Sequence, residues 1–78
     1  MDTGQVLKDV QGIFRDVLDN DDIVLSMTTV AKDVEEWDSL SHIQLVVAME
    51  KHFNIRFTTT EIASWKNVGE LVNNIIAK

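Results

Sequence analysis

Apolar residues recur at helical spacing near the start of the chain. Val6, Val10, Ile13, Phe14, Val17 and Leu18 fall on one side of a 3.6-residue period. Asp2 and Gln5 are spaced as a capping box, with Thr3 as a competing N-cap. The turn residues "DNDD" at 19–22 end the pattern. Gly12 sits inside this helix at a cost of about 1 kcal/mol relative to alanine, which predicts a close contact there.

The pattern then changes. Ile23, Val24, Leu25, Met27, Val30 and Val34 are apolar but follow no helical period. A loop this oily is predicted to lie on the core, and loops beyond about 12 residues are uncommon and often functional. Helical spacing resumes after Asp38, a good N-cap, and runs to His52 or Phe53, with Asn54 as the stop. Thr58 with Glu61 forms a second capping-box pattern, before a short helix. Asn67 with Glu70 forms a third, before a last helix carrying Val68, Leu71, Val72, Ile75 and Ile76. "FNIRF" alternates, but it is too short to read as a strand. The expectation is an all-α fold, a small four-helix bundle of three main helices and one short one. A long packed loop joins the first two helices. One domain covers 1–78, since 78 residues allow only one compact core.

The second helix is too apolar for a single buried face. A helix advances about 100° per residue. On that wheel Leu45, Val46, Met49 and Phe53 form the stripe expected to face the core. Leu40, Ile43 and Val47 form another on the far side, with Gln44 and Lys51 among them. Either the helix is covered on both sides, or the second stripe meets something outside the molecule. Ser39 lies at the N-terminal end of that stripe. The first turn of a helix leaves unpaired N–H groups and partial positive charge, so a phosphate on Ser39 would sit in a favourable field. Asp38 would hold the turn. From "DSL" alone, Ser39 reads as an ordinary polar first-turn residue.

Charge sharpens this picture. The net charge is −6, which argues against nucleic acid as a partner. Ten of the thirteen acids, but only three of the seven Lys and Arg, precede Ser39. Cysteine is absent, so the chain supplies no disulfide and no thiolate. No apolar run approaches the roughly 18 residues of a membrane span, and "MDTGQVLKDV" has no signal-peptide character. The expectation is a soluble, cytoplasmic monomer.

The segment "WDSLSHIQLVVAMEKHFNIRF", followed by "EI" and "VGELVNNI", resembles the acyl carrier proteins over essentially the whole chain. The resemblance implies that Ser39 receives 4′-phosphopantetheine from coenzyme A through a separate phosphopantetheinyl transferase. The arm's thiol then carries an acyl group as a thioester, which accords with the missing cysteine. An acyl-loading ligase or transferase and downstream biosynthetic enzymes are the implied partners. By position, Leu40, Ser41, Ile43, Gln44, Val47, Glu50 and Lys51 match the family's partner-docking face. In that family the position matching Trp65 borders a space where an acyl chain can shelter, so the resemblance makes Val46, Met49, Ile62 and Trp65 candidates for acyl contact. The fatty-acid-synthesis type usually has acids where this chain has Ser41 and Gln44, and again where it has Lys51 and His52. That departure, with Trp37 before the motif, points to a specialised pathway and to docking by apolar contact more than charge.

Other chemistry is poorly supported. His42 falls near the core side of the wheel and His52 on its flank, and no Cys or paired carboxylate completes a metal site. "DNDD" fails the calcium-loop pattern, because Val24 and Val30 stand at the glycine and glutamate positions. Trp65 reads as a core residue. No nucleophile–base–orienter set supports an enzyme. Two alternatives stay open: an unmodified helical module that binds a partner helix through Leu40, Ile43 and Val47, and a peptidyl or aminoacyl carrier.

Overall fold

A computed structural model describes residues 2–78. The described residues contain four helices: α1 Thr3–Val17, α2 Ser39–Phe53, α3 Thr59–Ser64 and α4 Val68–Ala77. A single 3-10 turn, Ala31–Asp33, lies within the long α1–α2 loop. The expected all-α architecture is what forms, and "FNIRF" makes no strand.

α1 packs against α2 and α4. Val6, Val10 and Phe14 line its buried side at four-residue intervals. They meet Leu45 and Met49 of α2, and Val68, Leu71, Val72 and Ile75 of α4, in one apolar core. The long loop is packed as expected: Ile23, Leu25 and Val34 are buried, and of its large apolar residues Val24 is strongly exposed. Its backbone polar groups need partners once they leave water, and α1 supplies them. The Arg15 Nε–H donates to the Ile23 carbonyl at 2.7 Å. Gln11 Oε1 accepts from the Leu25 N–H at 2.9 Å.

The same loop closes the mouth of α4. The Val68 N–H donates to the Thr29 carbonyl and the Gly69 N–H to the Met27 carbonyl, both at 2.8 Å. Two first-turn donors with no carbonyl inside their own helix are satisfied this way. Gly69 is required for the approach, because a Cβ there would lie 2.5 Å from the Met27 carbonyl oxygen. The close contact expected at Gly12 does not exist: a Cβ there meets nothing within 4 Å. Gly12 is exposed on the outer side of α1.

Two expected caps form differently. Asp2 is the N-cap of α1, but its side chain makes no cap bond. Gln5 instead donates to Asp9 Oδ1 at 2.9 Å, one helical turn away. At α4, Asn67 accepts from the Glu70 N–H, but only this half of the box forms. The Thr58–Glu61 box of α3 is complete. Glu61 also receives Asn74 Nδ2 at 2.8 Å and Lys78 Nζ at 3.0 Å, joining α3 to the end of α4. These bonds, Asn74 first, hold its carboxyl down at about 2.

Candidate functional site

The two sides of α2 have different fates. Leu45, Val46 and Met49 are buried in the core. Leu40, Ile43 and Val47 stay exposed, at 71, 63 and 44 %. No helix of the described residues covers them, so the second stripe faces outward. Gln44 and Lys51 are exposed beside it. At the far end Asn54 takes a left-handed conformation (φ 55°), which Asn tolerates, and stops the helix.

Ser39 is the first residue of α2 and is exposed. The turn around it is closed by its neighbours. Asp38 Oδ1 accepts from the Ser41 N–H at 2.9 Å, and Ser41 Oγ accepts from the Asp38 N–H at 2.8 Å. The Ser41 hydroxyl itself donates to the Glu36 carbonyl at 2.8 Å. This is a capping box in which serine replaces the usual glutamate. It leaves the Ser39 hydroxyl out of the cap. The Ser41 N–H, then the Ser41 hydroxyl, hold the Asp38 carboxyl below its usual range.

That arrangement corrects one expectation. Ser41 was placed on the docking face with Leu40 and Ile43, but it is buried inside the cap. Its position on the wheel points back toward the loop, where Glu36 and Asp38 hold it. Glu50 is half-buried, and its Oε2 accepts from the Phe57 N–H at 2.8 Å. Its carboxylate therefore ties down the segment after α2 more than it faces a partner.

Beside Ser39 opens a cleft of about 470 Å3, lined by Ala31, Trp37, Asp38, His42, Trp65 and Lys66 with the serine itself. Three aromatic rings build its wall. The Trp37 Nε1–H donates to His42 Nδ1 at 3.0 Å, and the two rings stack at 6.0 Å. Trp65 meets His42 edge-on at 5.9 Å, and its own Nε1–H donates to Asn74 Oδ1 at 3.1 Å. Trp37 and Trp65 rest in turn on Phe14 and Phe57. Burial pushes the His42 pKa down, so the imidazole is neutral at pH 7 and can accept the Trp37 bond.

Of the four positions expected to touch an acyl chain, only Trp65 lines this cleft. Val46 and Met49 are core residues, and Ile62 is half-buried against the core. Trp37 and His42 were not expected as cleft residues. Their five-residue spacing across the serine was visible, but their hydrogen bond depends on how the loop enters α2. His52 lies 3.7 Å from Asp9 on the far side of α2. Among the described residues, no three His, Cys, Asp or Glu side chains gather as a metal site. No described helix is long and apolar enough to cross a membrane.

The fold and the helix-mouth serine define a class: a small helical protein that presents one hydroxyl beside an apolar row. The comparisons agree with that class. The family described as "Phosphopantetheine attachment site" matches residues 8–75. The fold is similar to the solution NMR structure of a holo acyl carrier protein from Geobacter metallireducens. That similarity has a TM-score of 0.88 at 44 % identity, over 94 % of this chain and 84 % of the other. No curated protein matches. The chain belongs to the phosphopantetheine-attachment family, as a carrier of the acyl carrier protein type. It is a carrier and not an enzyme, its cofactor is covalent 4′-phosphopantetheine, and it works with a phosphopantetheinyl transferase and pathway enzymes.

The residues present fit that cofactor. A phosphodiester on Ser39 would meet the first-turn N–H groups of α2, and Lys66 stands in the same cleft. Asp38, the nearest carboxylate in sequence, is already engaged by Ser41.

Proposed function

We propose that Ser39 is the residue that bears the arm, within a single carrier domain formed by residues 1–78. The observation that carries this is its place: an exposed hydroxyl at the first position of α2, outside the Asp38–Ser41 cap. In the loading step Ser39 Oγ attacks the pantetheine-side phosphorus of coenzyme A and forms the new O–P bond. The pyrophosphate P–O bond breaks, the adenosine-containing half leaves, and the hydroxyl proton is lost to solvent or the transferase. A divalent metal, held by the transferase and not by this chain's residues, would neutralise charge on the leaving phosphate. The arm supplies the thiol that this chain lacks and holds the acyl group as a thioester.

This chain's own residues do three things. Asp38 and Ser41 hold the turn so that the serine faces out. Leu40, Ile43 and Val47, with Gln44 and Lys51, form the row on which partner enzymes dock. Trp65, with Trp37 and His42, offers an apolar wall beside the arm. The gain from such a carrier is effective concentration, because the cargo is tethered to a surface that each enzyme recognises.

The docking row holds few acids, and its partners are accordingly those of a specialised pathway rather than housekeeping fatty-acid synthesis. Acyl-loading ligases or transferases and downstream biosynthetic enzymes are the expected users. An aminoacyl or peptidyl cargo would use the same serine. The working form is a monomer in the cytoplasm, beside the coenzyme A that loads it. The test is mass spectrometry after incubation with coenzyme A, magnesium and a broad-specificity transferase. A gain of one phosphopantetheine, lost in Ser39→Ala, supports the reading. A gain that survives in Ser39→Ala moves the site elsewhere. No gain with several transferases favours the unmodified interaction module.

A further inference from the structure

The exposed row of α2 does not end at Val47. It runs into a notch of about 310 Å3 lined by Val47, Glu50, Lys51, Asn54, Ile55 and Arg56. The notch has an apolar floor in Val47 and Ile55 and a basic rim in Lys51 and Arg56. The rim's one acid, Glu50, is turned to the Phe57 N–H but keeps its charge, so the rim carries two cations against one anion. Lys51 and Arg56 are both exposed, and among the described residues neither enters an ion pair. In a chain of net charge −6, the C-terminal end of this row is a local positive site. The opposite end is acidic on balance: Glu35, Glu36 and Asp38 precede Ser39 against the single Lys66 of the cleft, and a phosphodiester on the serine would add a further negative charge.

The row is thus apolar in the middle and oppositely charged at its two ends. From this polarity we propose that its partners are protein surfaces carrying an apolar ridge with one or more carboxylates at the end that meets Lys51 and Arg56. Carboxylates there pair with the basic rim, while carboxylates at the other end face Glu35, Glu36 and Asp38. Charge order therefore selects the partner's orientation as well as its identity. The proposal rests on the row being the docking face, but not on Ser39 being modified. A second copy of this chain is a poorer occupant. Three exposed apolar side chains and one notch fall well short of the roughly 20–30 residues a side of a stable interface.

The test uses the full chain and two synthetic helical peptides. Both carry leucines at i, i+3 and i+7; one ends in two glutamates, the other in two lysines. Binding is followed by backbone amide shifts at low salt, with and without the transferase-dependent mass gain. The expected result is shifts confined to residues 40–56, with the acidic peptide bound about three- to tenfold tighter, the range two exposed ion pairs provide. The Lys51→Glu/Arg56→Glu double variant, surface changes that leave the core intact, should reverse that preference. Equal binding, a preference for the basic peptide, or shifts elsewhere would overturn the proposal. So would sedimentation showing a dimer that Val47→Glu dissociates, which would assign the row to a second copy. A mass gain without peptide preference refutes this inference alone. Peptide preference without a mass gain refutes the carrier reading alone.

Discussion

The two sides of α2 are built from the same residue types and behave oppositely. Leu45 and Met49 are buried in the core that α1 and α4 share, while Leu40, Ile43 and Val47 face solvent. Hydrophobicity alone does not decide which side is core. The neighbours decide: Phe14 of α1 and Leu71 and Ile75 of α4 share the core with one side, and no helix of the described residues covers the other. An apolar side chain costs free energy in water, so a row of them on an otherwise polar surface marks a place that partners cover.

The sharpest way to break the comparison is to truncate both sides. Phe14→Ala should lower stability by about 3–5 kcal/mol, as for a large buried aromatic side chain. Leu40→Ala and Val47→Ala should each stay within about 0.5 kcal/mol of the parent, while reducing turnover by docking enzymes. Denaturant unfolding of the three variants reads the difference. If Leu40→Ala unfolds as easily as Phe14→Ala, the outer row is part of the core.

A smaller effect is expected at the glycines. Gly69→Ala forces a Cβ toward the Met27 carbonyl and should cost about 1–3 kcal/mol. Gly12→Ala meets open space and should add up to about 1 kcal/mol. Thermal unfolding should move in opposite directions for the two. Equal shifts would mean that the loop is not anchored on α4.

The cap comes next. Ser41→Ala removes one side of the Asp38–Ser41 pair and should cost about 1 kcal/mol. It should also slow phosphopantetheine loading, because the turn that presents Ser39 loosens. A variant that loses loading with unchanged stability would instead place Ser41 in direct contact with the transferase.

The smallest effect is a pH dependence at the cleft. The folded pKa of His42 lies below its unfolded value near 6.5, because burial disfavours the charged ring. The unfolded chain therefore binds more protons in this range. Its contribution is fully present above 6.5 and is lost as pH falls through the folded value. A protonated Nδ1 cannot accept from Trp37, so the Trp37 indole proton should shift in the same window. Proton NMR checks this, and an indole signal unchanged from pH 7 to below the His42 transition would rule out the bond.

The helices were readable because their apolar residues repeat at helical spacing and their ends carry Asp38, Thr58 and Asn67. The outer row was readable from the same wheel. Ser41 was misread because its hydroxyl turns back to Glu36 and Asp38, and that direction depends on how the loop enters the helix. The close contact expected at Gly12 falls instead at Gly69, which the helical pattern does not single out, for a similar reason. A close approach is a tertiary fact, and only the packed loop places the Met27 carbonyl over α4. The aromatic wall joins Trp37 at the end of the loop and His42 in the first turns of α2 to Trp65, more than twenty residues further on, so periodicity within one helix could not reveal it.

The claim that Ser39 is the point of attachment is tested most directly by the intact mass of the full chain. The parent and Ser39→Ala are incubated alongside each other with coenzyme A, magnesium and a transferase. The expected result is a gain of one phosphopantetheine in the parent and none in the variant. An equal gain in both would contradict it.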